Sequence, residues 1–231
     1  MNHLGVDQQS KRSGNERKKW GLGVWIFVIL LGLALLFLVW PTFDVVAPHA
    51  VQMKATSNCR QIIIAMKAYA ADHNGSYPTG KTANEVFREL IREGIFQDER
   101  VFGCPFSRFN PDNEVGPPPH FEKVVAGGEN HWMMMGGLKD DSLAIVPLVF
   151  ENASEASWPL VWDGTSRENE EIRKRGQTWN GAKIVVGTND GSVVVERLGG
   201  DDLRRKSFRV WADGRSILDL VPKAVVLDIE E

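Results

Sequence analysis

The chain has 231 residues, of which 43% are hydrophobic and 25% charged, with a formal net charge of −3. The roughly 190 residues after position 40 are enough for one domain with its own core. Residues 1–20 contain five basic and two acidic side chains, so the remainder of the chain carries a charge of −6, which argues against nucleic-acid binding.

The first element is an uncharged apolar run from Gly21 to Trp40. Twenty helical residues at about 1.5 Å each span the roughly 30 Å hydrocarbon core of a bilayer, so the run predicts a transmembrane helix, and Pro41 ends it. The basic residues before the run place the N-terminus in the cytoplasm. A cleaved signal peptide is the alternative.

Three segments follow from this interpretation: residues 1–20 form a cytoplasmic basic tail, residues 21–40 the membrane helix, and residues 41–231 an exported α+β domain. We therefore expect a single-pass protein of the inner (cytoplasmic) membrane whose bulk is periplasmic or extracytoplasmic.

Two amphipathic helices are predicted next. Between Val51 and His73, apolar residues recur at three- and four-residue spacing and form one stripe: Ala55, Cys59, Ile62, Ile63, Met66, Tyr69 and Ala70. A second helix begins at Thr82, where Thr82 and Glu85 have capping-box spacing, and Gly94 ends it. Its buried face is Phe87, Leu90 and Ile91.

After Phe121 the sequence favours β structure. Four segments are rich in Val, Ile and Trp: Leu143–Phe150, Trp158–Trp162, Lys183–Gly187 and Ser192–Leu198. Asn189-Asp190-Gly191 predicts a hairpin turn between the last two, because these residues tolerate positive φ. The charged stretch from Thr165 to Gln177 is predicted to be a solvated excursion. Ser207–Trp211 and Ala224–Ile229 are weaker strand candidates, with a short helix at Arg215–Leu220.

This layout resembles the type II secretion pseudopilin G-like proteins of planctomycetes and verrucomicrobia. The matching segments are Ser57-Asn58-Cys59-Arg60-Gln61-Ile62, Tyr69 to Pro78, Gly103-Cys104-Pro105 and Asp190-Gly191-Ser192-Val193. The resemblance implies a pilin-like head, in which an amphipathic helix packs on an antiparallel sheet. It also implies a structural or assembly role, with subunits of a secretion or pilus-type system as partners.

Two features depart from that family. No prepilin leader precedes the apolar run: Asn15 follows Gly14, and no acid lies within Gly21–Trp40. We therefore expect the N-terminal residues to be retained. The family has a His upstream of its Asp-Gly pair, and the corresponding position here is Asn180.

Little in the sequence indicates an enzyme. The histidines form no short-spaced metal motif, and neither a Gly-x-Ser-x-Gly elbow nor a phosphate loop is present. The predictions are therefore no catalytic residues and no firm metal or cofactor. The family resemblance raises calcium, for which Asp163, Thr165, Asn189 and Asp190 are weak oxygen-ligand candidates. Plain turn roles for the same residues are the alternative.

The two cysteines are predicted to form a disulfide. Both Cys59 and Cys104 follow the apolar run, in a compartment that is normally oxidising. Cys59 lies on the apolar stripe, and the rigid turn at Cys104 follows the second helix. Two separate buried thiols are the alternative.

Two functions remain open at this point. One is a pilin-like structural subunit. The other is a tethered binding module for a ligand or an envelope polymer, which an exposed groove lined by Trp132 or Trp158 would favour.

Overall fold

The computed structural model describes residues 21–165, 172–209 and 214–231. The chain divides into two units, Met1–Val46 and Ala47–Glu231. Helix α1 (Leu22–Asp72) is followed by α2 (Ala83–Arg92). The strands come after them: β1 (Trp132–Gly136), β2 (Pro147–Glu151), β3 (Lys183–Thr188), β4 (Val193–Arg197) and β5 (Val225–Leu227). Short 3₁₀ turns lie at Arg100–Phe102 and Ile217–Leu220.

The apolar beginning of α1 requires a correction. In the part of the chain that the structure describes, no helix combines the length and the apolar character that crossing a bilayer requires. This finding contradicts the predicted transmembrane helix Gly21–Trp40. It equally contradicts the anchoring in the cytoplasmic membrane that was based on it. The basic tail before Trp20 lies outside the described residues.

The second part of α1, from Val51 to Asp72, forms the predicted amphipathic helix. Cys59, Ile62, Ile63 and Met66 are fully buried and belong to the same core as strand residues such as Val149 and Val185. The close approach needs a glycine on the sheet, because a Cβ atom on Gly187 would lie 2.0 Å from the Ile63 side chain. After Asp72 the chain reverses through left-handed Asn74 and Gly75, and the Gly75 amide caps the Ala70 carbonyl at 2.8 Å.

Helix α2 begins as predicted. Thr82 is its N-cap, and the Thr82 hydroxyl accepts a hydrogen bond from the Glu85 amide at 3.1 Å. The reciprocal bond of a capping box is displaced by one residue, since the Glu85 carboxylate accepts from the amide of Lys81. The buried face of α2 includes the predicted Phe87, Leu90 and Ile91.

The five strands form one antiparallel sheet in the order β4-β3-β2-β1-β5. β3 and β4 are paired from Lys183↔Arg197 to Gly187↔Val193 around the predicted turn at Asp190 and Gly191. The α+β class and the packing of an amphipathic helix on an antiparallel sheet are therefore confirmed.

Both faces of the central strands are covered. The α1 and α2 side contacts Met134, Val149 and Val185. The opposite side has its own apolar cluster, in which Phe150 and Trp162 meet edge to face. Because each central strand is buried on both sides, its sequence is a continuous apolar run without the alternation of a half-exposed strand.

The remaining β predictions are corrected in detail. Trp132, which lies outside the predicted strand segments, begins the central strand β1. Trp158–Trp162 forms only isolated bridges, because Pro159 has no amide hydrogen to donate to a ladder. Ser207 makes a bridge to Gly199, whereas Trp211 lies outside the described residues.

Candidate functional site

Buried polar side chains from four segments meet at one edge of the central strands. Glu151 is the last residue of β2, His131 lies just before β1, and Cys104 follows the 3₁₀ turn Arg100–Phe102. Arg173 and Trp179 come from the connection between β2 and β3. All five are buried, and we call them the Glu151 network.

The carboxylate of Glu151 is the common acceptor. Its Oε1 atom accepts from Trp179 Nε1 at 2.9 Å, Arg173 Nη2 at 3.0 Å and His131 Nε2 at 3.2 Å. Its Oε2 atom accepts from the backbone amide of Val185 at 3.0 Å. Four donors thus converge on a carboxylate that is 1% exposed, so its buried charge is fully compensated.

Glu151 and Arg173 keep each other ionised, because their opposite charges outweigh the effect of burial. Burial alone would raise the pKa of Glu151, but the Arg173 guanidinium and the His131 hydrogen bond outweigh it and lower the pKa to about 2. Burial likewise opposes the charge of Arg173, and Glu151 reverses that effect and raises the pKa of Arg173. The guanidinium also lies 3.8 Å from the centre of the Trp179 ring, a cation–π contact.

The hydrogen bonds of His131 identify its neutral tautomer. The amide nitrogen of Asn152 lies 2.9 Å from His131 Nδ1 and is a donor, because the Asn152 oxygen accepts from the Gly176 amide at 2.8 Å. Nδ1 is therefore the acceptor, and Nε2 carries the proton that it donates to Glu151. Burial lowers the pKa of His131, which is consistent with a neutral ring.

Cys104 completes the network as a thiol. Arg173 Nη2 lies 2.9 Å from its sulfur, and Glu151 Oε1 lies 3.8 Å away. Burial raises the pKa of this thiol well above its usual value, and the Arg173 charge does not compensate. The one positive charge of Arg173 is shared between the Glu151 carboxylate and the Cys104 sulfur. It therefore does not offset the effect of burial on the thiol, and Cys104 keeps its proton.

The network contains a Cys-His-Glu set whose ligand atoms lie within 4.8 Å of one another, as a metal site would need. His131 Nδ1 has two polar neighbours, the Ser107 hydroxyl at 2.8 Å and the Asn152 amide nitrogen at 2.9 Å. Arg173 Nη2 already supplies a positive charge between the sulfur and Glu151. In the structure these residues therefore form an internal ion pair, and the prediction of no firm metal stays a prediction.

A second group, Glu99, Asp112 and Glu129, also brings carboxylate oxygens within 4.8 Å of one another. Both oxygens of buried Glu99 accept backbone amide hydrogens, from Asn113 at 2.8 Å and Val125 at 2.7 Å. Burial and the neighbouring carboxylates raise the pKa of Glu129. Glu99 thus has a local structural role, tying two loops together.

The calcium candidates lie in two different turns. Asp163 Oδ1 accepts from the amide and hydroxyl of Thr165. Asp190 Oδ1 accepts from the Thr188 hydroxyl and the Ser192 amide. Neither aspartate belongs to a group of three or more clustered ligands among the described residues. The prediction of no firm metal, with these residues as weak calcium candidates, therefore stays a prediction.

The predicted disulfide between Cys59 and Cys104 is not formed in the structure, where both cysteines are free and fully buried. Cys59 Sγ lies 3.8 Å from the Val149 carbonyl oxygen, and Cys104 Sγ lies 2.9 Å from Arg173 Nη2 and 3.8 Å from Glu151 Oε1. The alternative of two separate buried thiols is the arrangement found.

Sequence reasoning missed the Glu151 network. Its members are far apart along the chain, and Arg173 lies in a stretch that was interpreted as solvated, although its side chain is buried. One signal was present: Glu151 ends the apolar run Pro-Leu-Val-Phe-Glu, and a carboxylate there requires a buried partner.

No protein-family model, no curated protein and no solved structure matches this chain.

Proposed function

We propose that this chain is a pilin-like structural subunit of a secretion or pilus-type assembly and that it has no enzymatic activity. The support is the α+β layout, with an amphipathic helix on an antiparallel sheet, together with the motif residues that resemble the pseudopilin G-like family.

One observation carries the proposal: the motif residues form a buried framework. Tyr77 of the Tyr-Pro motif donates its hydroxyl to the side-chain oxygen of Asn189, next to the Asp-Gly hairpin. The Asn189 amide in turn donates to the backbone carbonyls of Lys139 and Ser142. Cys59 packs where α1 approaches Gly187, and Cys104 joins the Glu151 network. Residues used in this way stabilise a head domain.

The Glu151 network supports the non-enzymatic part. A nucleophile and a base must reach a substrate, whereas Cys104, His131 and Glu151 are at most 3% exposed. Their polar atoms are occupied by protein partners at hydrogen-bonding distances. Such a network stabilises a unique core packing rather than a transition state.

The tryptophan-lined alternative is not favoured. Trp132 is fully buried, so it lines no exposed groove. Trp158 is half-buried and stacks on Phe208 at 6.2 Å between ring centroids. Its ring packs against the apolar cluster that contains Phe150 and Trp162, on the side of the sheet away from α1 and α2.

The test is recovery of assembly partners. The tagged full chain, cross-linked in the native cell, should bring down further copies of itself or recognisable subunits of a pilus or secretion machine. The Gly187→Ala variant is a matched comparison, because its added methyl group overlaps Ile63 of α1 and lowers the stability of the head, so its recovery of partners should be reduced in proportion to the folded fraction. Recovery of the native chain as a monomer without such subunits would refute the proposal.

A further inference from the structure

An open groove of about 580 Å³ lies beside the second part of α1. This volume is within the range of small-ligand and peptide sites. One wall consists of Lys54, Asn58 and Gln61, which the helical repeat places on one face of α1. Asn58 is held in place because its amide donates to the Gly103 carbonyl at 3.0 Å.

The opposite wall is the segment after α2, from Phe96 to Val101. Asp98 accepts from the backbone amide of Arg100 at 3.1 Å and from its guanidinium at 2.6 Å, so this turn is closed on itself. Phe96 packs edge to face against the ring of Phe102 at 5.5 Å. The wall is thus largely preorganised.

The groove has an excess of positive charge. Asp98 and Arg100 neutralise each other, whereas Lys54 forms no ion pair within 4.0 Å among the described residues. Lys54 is exposed and close enough to contribute to lowering the pKa of Asp98. The groove thus offers one basic side chain without an ion pair, in a chain whose residues after Trp20 carry a charge of −6.

Amide side chains supply the remaining polar groups. Gln97 makes no hydrogen bond within the described chain, so its amide can both donate and accept. The Gln61 nitrogen is used by Ser57, which leaves the Gln61 oxygen facing outward as an acceptor. Paired donors and acceptors of this kind match the N–H and C=O groups of a peptide backbone.

We propose that this groove binds an extended peptide segment bearing a carboxylate. The carboxylate pairs with Lys54, and the backbone pairs with the amides of Gln97 and Gln61. The identification of the source as a partner subunit rests on the proposed assembly function. The groove's chemistry does not depend on that function.

The experiment uses a blocked Gly-Glu-Glu-Gly peptide and its Gly-Gln-Gln-Gly counterpart as probes, titrated into the ¹⁵N-labelled full chain at low salt. The glutamate peptide should shift the side-chain amide signals of Asn58, Gln61 and Gln97. The glutamine peptide should bind at least fivefold more weakly. Lys54→Gln should weaken binding of the glutamate peptide about fivefold, the size of one partly exposed ion pair. Lys67→Gln, on the same helix but beside Gly191, should change it less than twofold.

Three results would overturn the proposal: no shift at the groove amides, equal binding of the two peptides, or equal effects of the two lysine variants. Preferential binding of an acidic oligosaccharide such as oligogalacturonate would also overturn it, since the ligand would then not be a peptide. Recovery of assembly partners with Lys54→Gln, at the native level, would refute the groove's role while leaving the proposed function intact.

Discussion

Replacing Glu151 by Gln is expected to be the most informative change in the core. The substitution keeps the size and one acceptor oxygen but removes the negative charge. Arg173 then remains a buried cation beside a neutral amide, and one of the donors to the carboxylate faces an NH₂ group. Breaking a buried ion pair in this way typically costs about 3–5 kcal/mol.

The lowered pKa of Glu151 corresponds to a contribution to the free energy of unfolding of similar size. A change from 4.5 in the unfolded chain to about 2 in the folded one corresponds to about 3 kcal/mol of stability near neutral pH. Because the folded pKa is the lower one, this contribution is present above about pH 4.5. It is lost as the pH falls from there toward 2.

Urea unfolding at pH 7 measures the effect. With an m-value of about 2 kcal/mol/M, Glu151→Gln should lower the midpoint by about 1.5–2.5 M. The difference from the native chain should shrink as the pH is lowered from 5 to 3. The paired variant Glu151→Gln with Arg173→Met removes both charges and should be clearly less destabilised than the sum of the two single variants.

Two outcomes would refute this reasoning. A loss below about 1 kcal/mol for Glu151→Gln would mean that the carboxylate is not the counter-ion of Arg173. Strict additivity of the two single changes would mean that the two side chains do not interact in the folded protein.

Four further predictions concern other parts of the fold. His131→Gln should reduce the loss of stability as the pH falls below about 6.5, because a histidine with a lowered folded pKa is protonated preferentially in the unfolded chain; urea unfolding against pH measures it. Gly187→Ala should cost about 1–3 kcal/mol in thermal unfolding, since the added methyl overlaps α1. Thr82→Ala should cost about 1 kcal/mol and Thr82→Ser much less, as measured by urea unfolding. Cys59 and Cys104 should both be alkylated after denaturation without reductant and neither before it, as read by intact mass; a mass two hydrogens lower would indicate a disulfide.

The elements that could be predicted from the sequence depend on neighbours along the chain. The apolar stripe of α1 arises from the helical repeat, the start of α2 from the hydroxyl of Thr82, and the β3–β4 turn from residues that tolerate positive φ. Each is a local rule that needs no knowledge of the rest of the fold. The α+β class follows from combining these elements.

The tertiary structure alone decided the roles of residues whose partners lie far away. β1 has no alternation because both of its faces are covered, so Trp132 in the sequence was not recognisable as part of a strand. The disulfide was argued from the compartment, the apolar stripe and the turn at Cys104, whereas in the folded chain both sulfurs are free thiols buried in the core. Arg173 lies in a polar stretch, and only the fold shows that its charge is buried against Glu151. The cost of burying a charge is offset only by a specific partner, and the identity of that partner is a property of the three-dimensional packing.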